Sequence, residues 1–172
     1  MTDLAATIRN NQIAIAEFLD AVRAVPPDNW AEPRAPGKWS PAQVVEHVAL
    51  VYELGLKLLK GTAKDPSAPR WLRPLIGMII RRTVLRTGRF MKSKTAAPFH
   101  PKGAPASRDA LVARLEEASH AFERSAVQEV ESGRSTFDHP AFGRFGVADY
   151  VQFQAHHTKH HQAQLRRVSP AS

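Results

Sequence analysis

Apolar residues recur at helical spacing along most of this chain, and prolines, glycines and capping residues cut that pattern into segments. Leu4, Ile8, Ile15, Leu19 and Val22 repeat at intervals of three, four and seven until Pro26-Pro27 stops them, which predicts an amphipathic helix over 3–24. After a loop with Pro33, Pro36 and Gly37, the stretch WSPAQVVEHVALVYELGLKLL begins with a capping serine, Ser40. Pro41 follows at the first helical position and Gln43 at the third, the makings of a capping box. Val44, Val45, Val48, Val51, Tyr52, Gly55, Leu58 and Leu59 form one face of that second helix. His47 lies about 90° from the centre of the face, at the predicted border of core and solvent.

Residues 62–106 are less regular. Leu72, Ile76, Ile79 and Ile80 suggest a short basic helix within Trp71 to about Arg89, interrupted by Pro74 and Gly77. Ser107 then caps a third long helix with an inward stripe of Leu111, Leu115, Ala118, Phe122 and Ala126, ending near Gly133. FDHPAFGRFG reads as a turn-rich connector, and a fourth long helix is expected from about Val147 to Val168. No segment alternates with period two over a useful length. The expected class is all-α: a single domain over 1–172, built as a four-helix bundle of non-sequential topology with a long crossover between its second and third helices.

Composition narrows the picture. At 172 residues and 43% hydrophobic, the chain is long enough for one real core and short for two domains. The absence of cysteine excludes disulfides, thiolate ligands and a cysteine nucleophile, so a bound metal would have to be held by histidine and oxygen. The N-terminus has no basic stretch followed by an apolar run, and LIGMII is too short to span a bilayer, which makes a cytoplasmic protein the expectation.

The charge of +8 is uneven: twelve Lys or Arg and one acid, Asp65, lie between Lys57 and Lys102. That segment carries +11 and the rest of the chain −3. A basic crossover of this kind can rim a helix that covers the bundle or forms a homodimer contact. It can also dock on nucleic acid or an anionic membrane surface, or border a site and attract an anionic substrate.

The chemistry concentrates in HHTKHHQAQL, residues 156–165. Val147, Tyr150, Val151, Gln154, His157, His161, Gln164, Leu165 and Val168 follow three-four spacing, so His157 and His161 sit within the inward stripe. His156 and His160 share a side with Asp149, Ala163 and Arg167, a flank or solvent face. Two histidines at i and i+4 have Cβ atoms roughly 6 Å apart and can converge on one ion. A polar pair at the mouth of a bundle, satisfied by water or by Gln154 and Gln164, fits the same spacing. His47 is the candidate third ligand, while His100, His120 and His139 fall in loop or flank settings as bystanders. The zinc-protease pattern H-E-x-x-H is not met, because Thr158 stands where the glutamate would be. Glu46 and Asp149 face away in the helical register, leaving the general base and every other catalytic group unassigned.

GKWSPAQVVEH, followed at a distance by HPAFGRFGVADYVQFQAHHTKHHQAQL, resembles the DinB/YfiT-like superfamily of bacterial four-helix bundles. The likeness rests on a Trp-Ser start to the second helix with a histidine seven residues after the serine, and on H-x-x-x-H-x-x-Q in the last helix. It aligns His47, His157 and His161 with the family's three-histidine site for a divalent ion, usually zinc or nickel, and Gln154 and Gln164 are placed to orient the imidazoles. It further implies an enzyme that activates a thiol, as a thiol S-transferase acting on a small-molecule thiol and an electrophilic substrate, or activates water, as a hydrolase. The alternative is a non-catalytic binding module whose basic segment docks on an anionic partner or membrane surface.

Overall fold

The computed structural model describes residues 2–63, 68–90, 99–101 and 106–167. Among these, four long helices form the bundle: α1 (Leu4–Arg23), α2 (Pro41–Leu59), α4 (Arg108–Glu131) and α5 (Val147–Leu165). A short α3 (Arg73–Ile80) lies in the crossover and runs into a π-helical turn at Arg81–Leu85. α1 packs chiefly against α5, and α2 chiefly against α4, so the chain does not lay consecutive long helices side by side. The non-sequential all-α bundle expected from the periodicity is the fold observed.

Local chemistry explains where the helices start. Asp3 caps α1 by accepting from the Ala5 amide, and Ser107 caps α4 through Ala110. Ser40 and Gln43 form the reciprocal capping box, with distances of 3.0 and 3.3 Å. α4 ends two residues before Gly133, whose φ of +85° turns the chain away in a conformation that disfavours side chains. The core is filled by residues such as Phe18, Val45, Val48, Tyr52, Leu115, Phe122 and Leu165, all on the faces the sequence marked as apolar.

Three local expectations change. FDHPAFGRFG contains an antiparallel hairpin, β1 (Thr136–His139) paired with β2 (Gly143–Gly146), which puts Phe137 opposite Phe145 and His139 opposite Gly143. Four residues per strand are too few for period two to register in the sequence. Pro74 does not interrupt α3 but opens it, in the first turn where its missing N–H costs nothing. Gly77 is where α3 meets the hairpin, since a Cβ there would run into the carbonyl oxygen of Phe142. α5 closes at Leu165; Val168 lies outside the described residues. Among the described residues, no helix is long and apolar enough to cross a membrane.

Candidate metal centre

The capping box fixes the start of α2, and two turns further on that helix presents His47 toward α5. His47 is only 4% exposed. Its position 90° from the apolar face suggested a border residue, but the returning crossover and Trp39 cover it. The Trp39 and His47 ring centroids lie 4.7 Å apart, and the Phe99 carbonyl sits 2.7 Å from His47 Nδ1. From α5, His157 and His161 converge on the same point, so that one ligand atom from each of the three histidines lies within 4.8 Å of the others. Nε2 of His157 is 3.3 Å from that of His47 and 3.2 Å from that of His161.

The protons of the flanking imidazoles are assigned by their partners. A carbonyl only accepts, so His47 donates through Nδ1 to Phe99, and its Nε2 carries a lone pair when the ring is neutral. His161 Nδ1 faces Gln164 Oε1 at 3.1 Å and donates to it, while the Gln164 amide nitrogen faces His160 Nε2 at 3.3 Å. His161 Nε2 is therefore an acceptor as well. Both acceptors point at Nε2 of His157, whose own Nδ1 is buried without a hydrogen-bond partner. A proton on His157 Nε2 can serve one neighbour only; a proton on Nδ1 leaves three lone pairs facing one another. In neither tautomer does hydrogen bonding satisfy this group.

A cation could resolve the conflict, and the spacing suits one. Metal–nitrogen bonds of about 2.0–2.1 Å in a tetrahedron put neighbouring nitrogens about 3.3 Å apart. The donor set is also held in the form a metal needs. Burial lowers the pKa of His47 to about 4, against the opposing Phe99 hydrogen bond and with help from His100 and His160. Burial, then the charges of His47 and His160, lowers His161 to about 3. His157 is pushed well below its ordinary value by burial and by its two histidine neighbours. The three rings are thus neutral at physiological pH.

Gln164 holds an imidazole in orientation. Gln154 is fully buried, but it packs over Gly55 and donates to the Val51 carbonyl at 3.4 Å, on the α2 side of the core. A Cβ on Gly55 would come within 2.7 Å of the Gln154 amide, which would have to move. His156 contacts Gln152 at 3.4 Å and backs onto Gly88, and exposed His160 stands outside the group of three. His139 is not the loop bystander that FDHPAFGRFG suggested. It is buried, stacked on Phe142 with centroids 4.0 Å apart, and its Nδ1 accepts from the Ala141 and Phe142 amides to hold the hairpin turn. A cleft of about 290 Å³ beside it, lined by Arg70, Arg73, Pro74, Asp138, His139 and Gly143, does not include the three converging histidines. The two acids near the motifs are engaged elsewhere: Glu46 lies 4.0 Å from Arg114, and Asp149 accepts from Thr2 and faces Arg81.

Sequence reasoning missed the walls of the centre. Phe90 approaches His157 at 5.6 Å, and Phe153 lies nearly parallel to it at 6.4 Å. Phe99 acts through its backbone, which no side-chain pattern encodes; Phe153 could have been found four residues before His157 on the same helix.

No curated protein and no solved structure matches the chain. The family model for the DinB superfamily matches residues 12–165, which takes in all of α2, α4 and α5 and each of the three converging histidines. With helix order, capping box and histidine register in agreement, the chain belongs to the DinB superfamily.

Proposed function

We propose that this protein is a divalent-metal-dependent enzyme in which His47, His157 and His161 hold zinc or nickel through their Nε2 atoms, and that its reaction is thiol transfer to an electrophile or hydrolysis. Bound there, the ion supplies a Lewis acid that brings the pKa of a thiol or a water toward neutrality. The observation that carries the reading is the convergence of three Nε2 atoms whose protons are directed away, to Phe99 and Gln164, at both rings where a partner exists. Neutral ligands leave the full charge of the ion in place.

The protein's own residues do the positioning. The Phe99 carbonyl and the Gln164 amide fix two imidazole planes, a role whose loss typically costs 10–100-fold in metal affinity. Half-buried Trp39, Phe90 and Phe99 surround the histidines with apolar surface, which limits water and suits an electrophile with an apolar body.

Elemental analysis of protein purified without chelator should find about one zinc or nickel per chain. The same preparation should be screened with small thiols and a fluorogenic electrophile, and in parallel with ester and amide substrates. Protein that carries neither ion and takes up neither above about pH 7 would overturn the metal assignment. Metal-loaded protein inert in both screens would overturn the enzyme.

A further inference from the structure

We infer that the outer face of α3 and the π-helical turn after it form a docking surface for an anionic lipid bilayer, a role separate from the metal centre and independent of it. The inner face of this segment is tied down: Gly77 abuts the Phe142 backbone, Val84 is buried, and Ile80 packs on the core. The outer face is apolar where it meets solvent. Trp71, in the turn that enters α3, is 78% exposed, and Leu75 at 49% and Met78 at 46% follow on one side of the helix, three residues apart. Scattered exposed apolar residues need no explanation, but Trp71 in the entering turn, followed by Leu75 and Met78 on the helix, puts three large ones close together in one short segment.

The segment that carries the patch is cationic, although Asp138 borders it beside Arg70 and Arg73 and Asp149 faces Arg81. Residues 70–90 contain six arginines and no acid. Arg81 is occupied, donating to the Arg144 carbonyl at 2.8 Å and lying over the Phe145 ring. Arg70, Arg82, Arg86 and Arg89, before and after the apolar residues in sequence, are exposed. An indole with aliphatic neighbours, surrounded by guanidinium groups, is the composition of an interfacial helix: apolar side chains enter the acyl boundary while arginines meet lipid phosphates.

Charge decides between occupants. A second copy meeting the patch about a two-fold axis would place these arginines against themselves with no acid within the segment to answer them. Nucleic acid would account for the arginines but would leave Leu75 and Met78 unburied. An anionic bilayer satisfies both halves.

The test is co-sedimentation of the full-length protein with phosphatidylcholine vesicles, with and without phosphatidylglycerol, at low and high salt. Binding is expected only with phosphatidylglycerol and should weaken with salt. Arg82→Ala with Arg86→Ala should weaken it about thirtyfold, since each arginine near an anionic surface contributes about fivefold. Trp71→Ala, Leu75→Ala and Met78→Ala together should weaken it at least about tenfold. Circular dichroism and metal content should match wild type in both variants. Absence of binding at low salt, or wild-type binding by the apolar triple variant, overturns the proposal. So does DNA binding as tight as vesicle binding and unchanged by the apolar substitutions, which makes nucleic acid the occupant. A dimer in sedimentation that Leu75→Arg abolishes overturns it in favour of a second copy.

Discussion

Thr158 and His157 are neighbours on α5, yet they serve two buried polar clusters built on opposite hydrogen-bond logic. Thr158 belongs to a chain that runs through all four long helices. Tyr52 has one proton and gives it to Asn11 Oδ1 at 2.6 Å, so the 3.0 Å contact between Tyr52 and Thr158 has the threonine donating. Asn11 in turn donates to Glu123 at 2.8 Å, and Gln12 donates to the other oxygen of the same carboxylate at 3.1 Å. Each of these contacts pairs a donor with an acceptor, and the chain ends on the Glu123 carboxyl group. Burial, despite the hydrogen bonds from Thr158 and to Asn11, pushes the Tyr52 hydroxyl far up, so it stays protonated. The three histidines around His157 show the reverse: acceptors face one another, and hydrogen bonding cannot reconcile them. A satisfied network specifies how helices align. An unsatisfied one leaves lone pairs that a ligand can take up.

Removing a member should therefore have different consequences in the two clusters. His157→Ala takes away the nitrogen that both other rings face, and metal content measured by elemental analysis should drop from about one per chain to near none. The loss in affinity should exceed the roughly 10–100-fold attached to orienting partners. Metal retained at wild-type stoichiometry would break the contrast. Asn11→Ala should do the opposite: it takes away the acceptor of the buried Tyr52 hydroxyl and the donor to one oxygen of Glu123, and should cost about 2–4 kcal/mol in urea unfolding while metal stoichiometry stays unchanged.

Gln164→Ala tests the orienting partner, with an expected loss of about tenfold or more in metal affinity by chelator competition and little change in unfolding midpoint. His139 supplies a pH test away from the site. Burial lowers its pKa to about 4, below the 6.5 of an unfolded histidine. The unfolded chain therefore takes up a proton that the native hairpin refuses, and stability that is complete above about pH 6.5 is lost as pH falls toward 4. His139→Asn preserves an acceptor for the hairpin turn without titrating. The stability difference between wild type and this variant should shift by about 2 kcal/mol against wild type between about pH 7 and 5. A difference that is constant with pH would mean the ring is reached by protons in the folded state.

How legible each region was follows from the physics that forms it. The long helices were readable because their stripes extend over several turns, and Ser40, Pro41 and Gln43 fixed the start of α2 by local bonds alone. The inward register of α5 followed from the same periodicity. The polar chain left a trace that was not read: Asn11 falls between Ile8 and Ile15 at stripe spacing, where an apolar residue belongs, and Tyr52 and Thr158 lie on the inward sides of α2 and α5. Burial of His47 was not legible, because it depends on a crossover backbone, at Phe99, that returns across 52 positions of sequence. The hairpin was hidden by its brevity, and Pro74 was misjudged because a proline inside a helical pattern and a proline at its start look alike until the boundary is known.

The smallest expected effect is also the sharpest check on the register. His156 and His160 repeat the i, i+4 spacing of His157 and His161 one position earlier, so the sequence motif alone is satisfied by either pair. The fold separates them. His156 turns toward Gln152, Leu85 and Gly88 at the crossover, and exposed His160 meets the centre from outside, through Gln164 and an edge contact with the His161 ring at 5.2 Å. His156→Ala and His160→Ala should each leave metal content at wild type, with at most a modest loss of affinity for His160→Ala, because Gln164 keeps its bond to His161 when its amide nitrogen turns to water. Circular dichroism must accompany both measurements so that binding and folding are read separately. If His156→Ala empties a folded protein of metal while His157→Ala does not, α5 is rotated by about 100° about its axis. In that case the contrast between Thr158 and His157 fails with it, since the threonine would no longer point into the core.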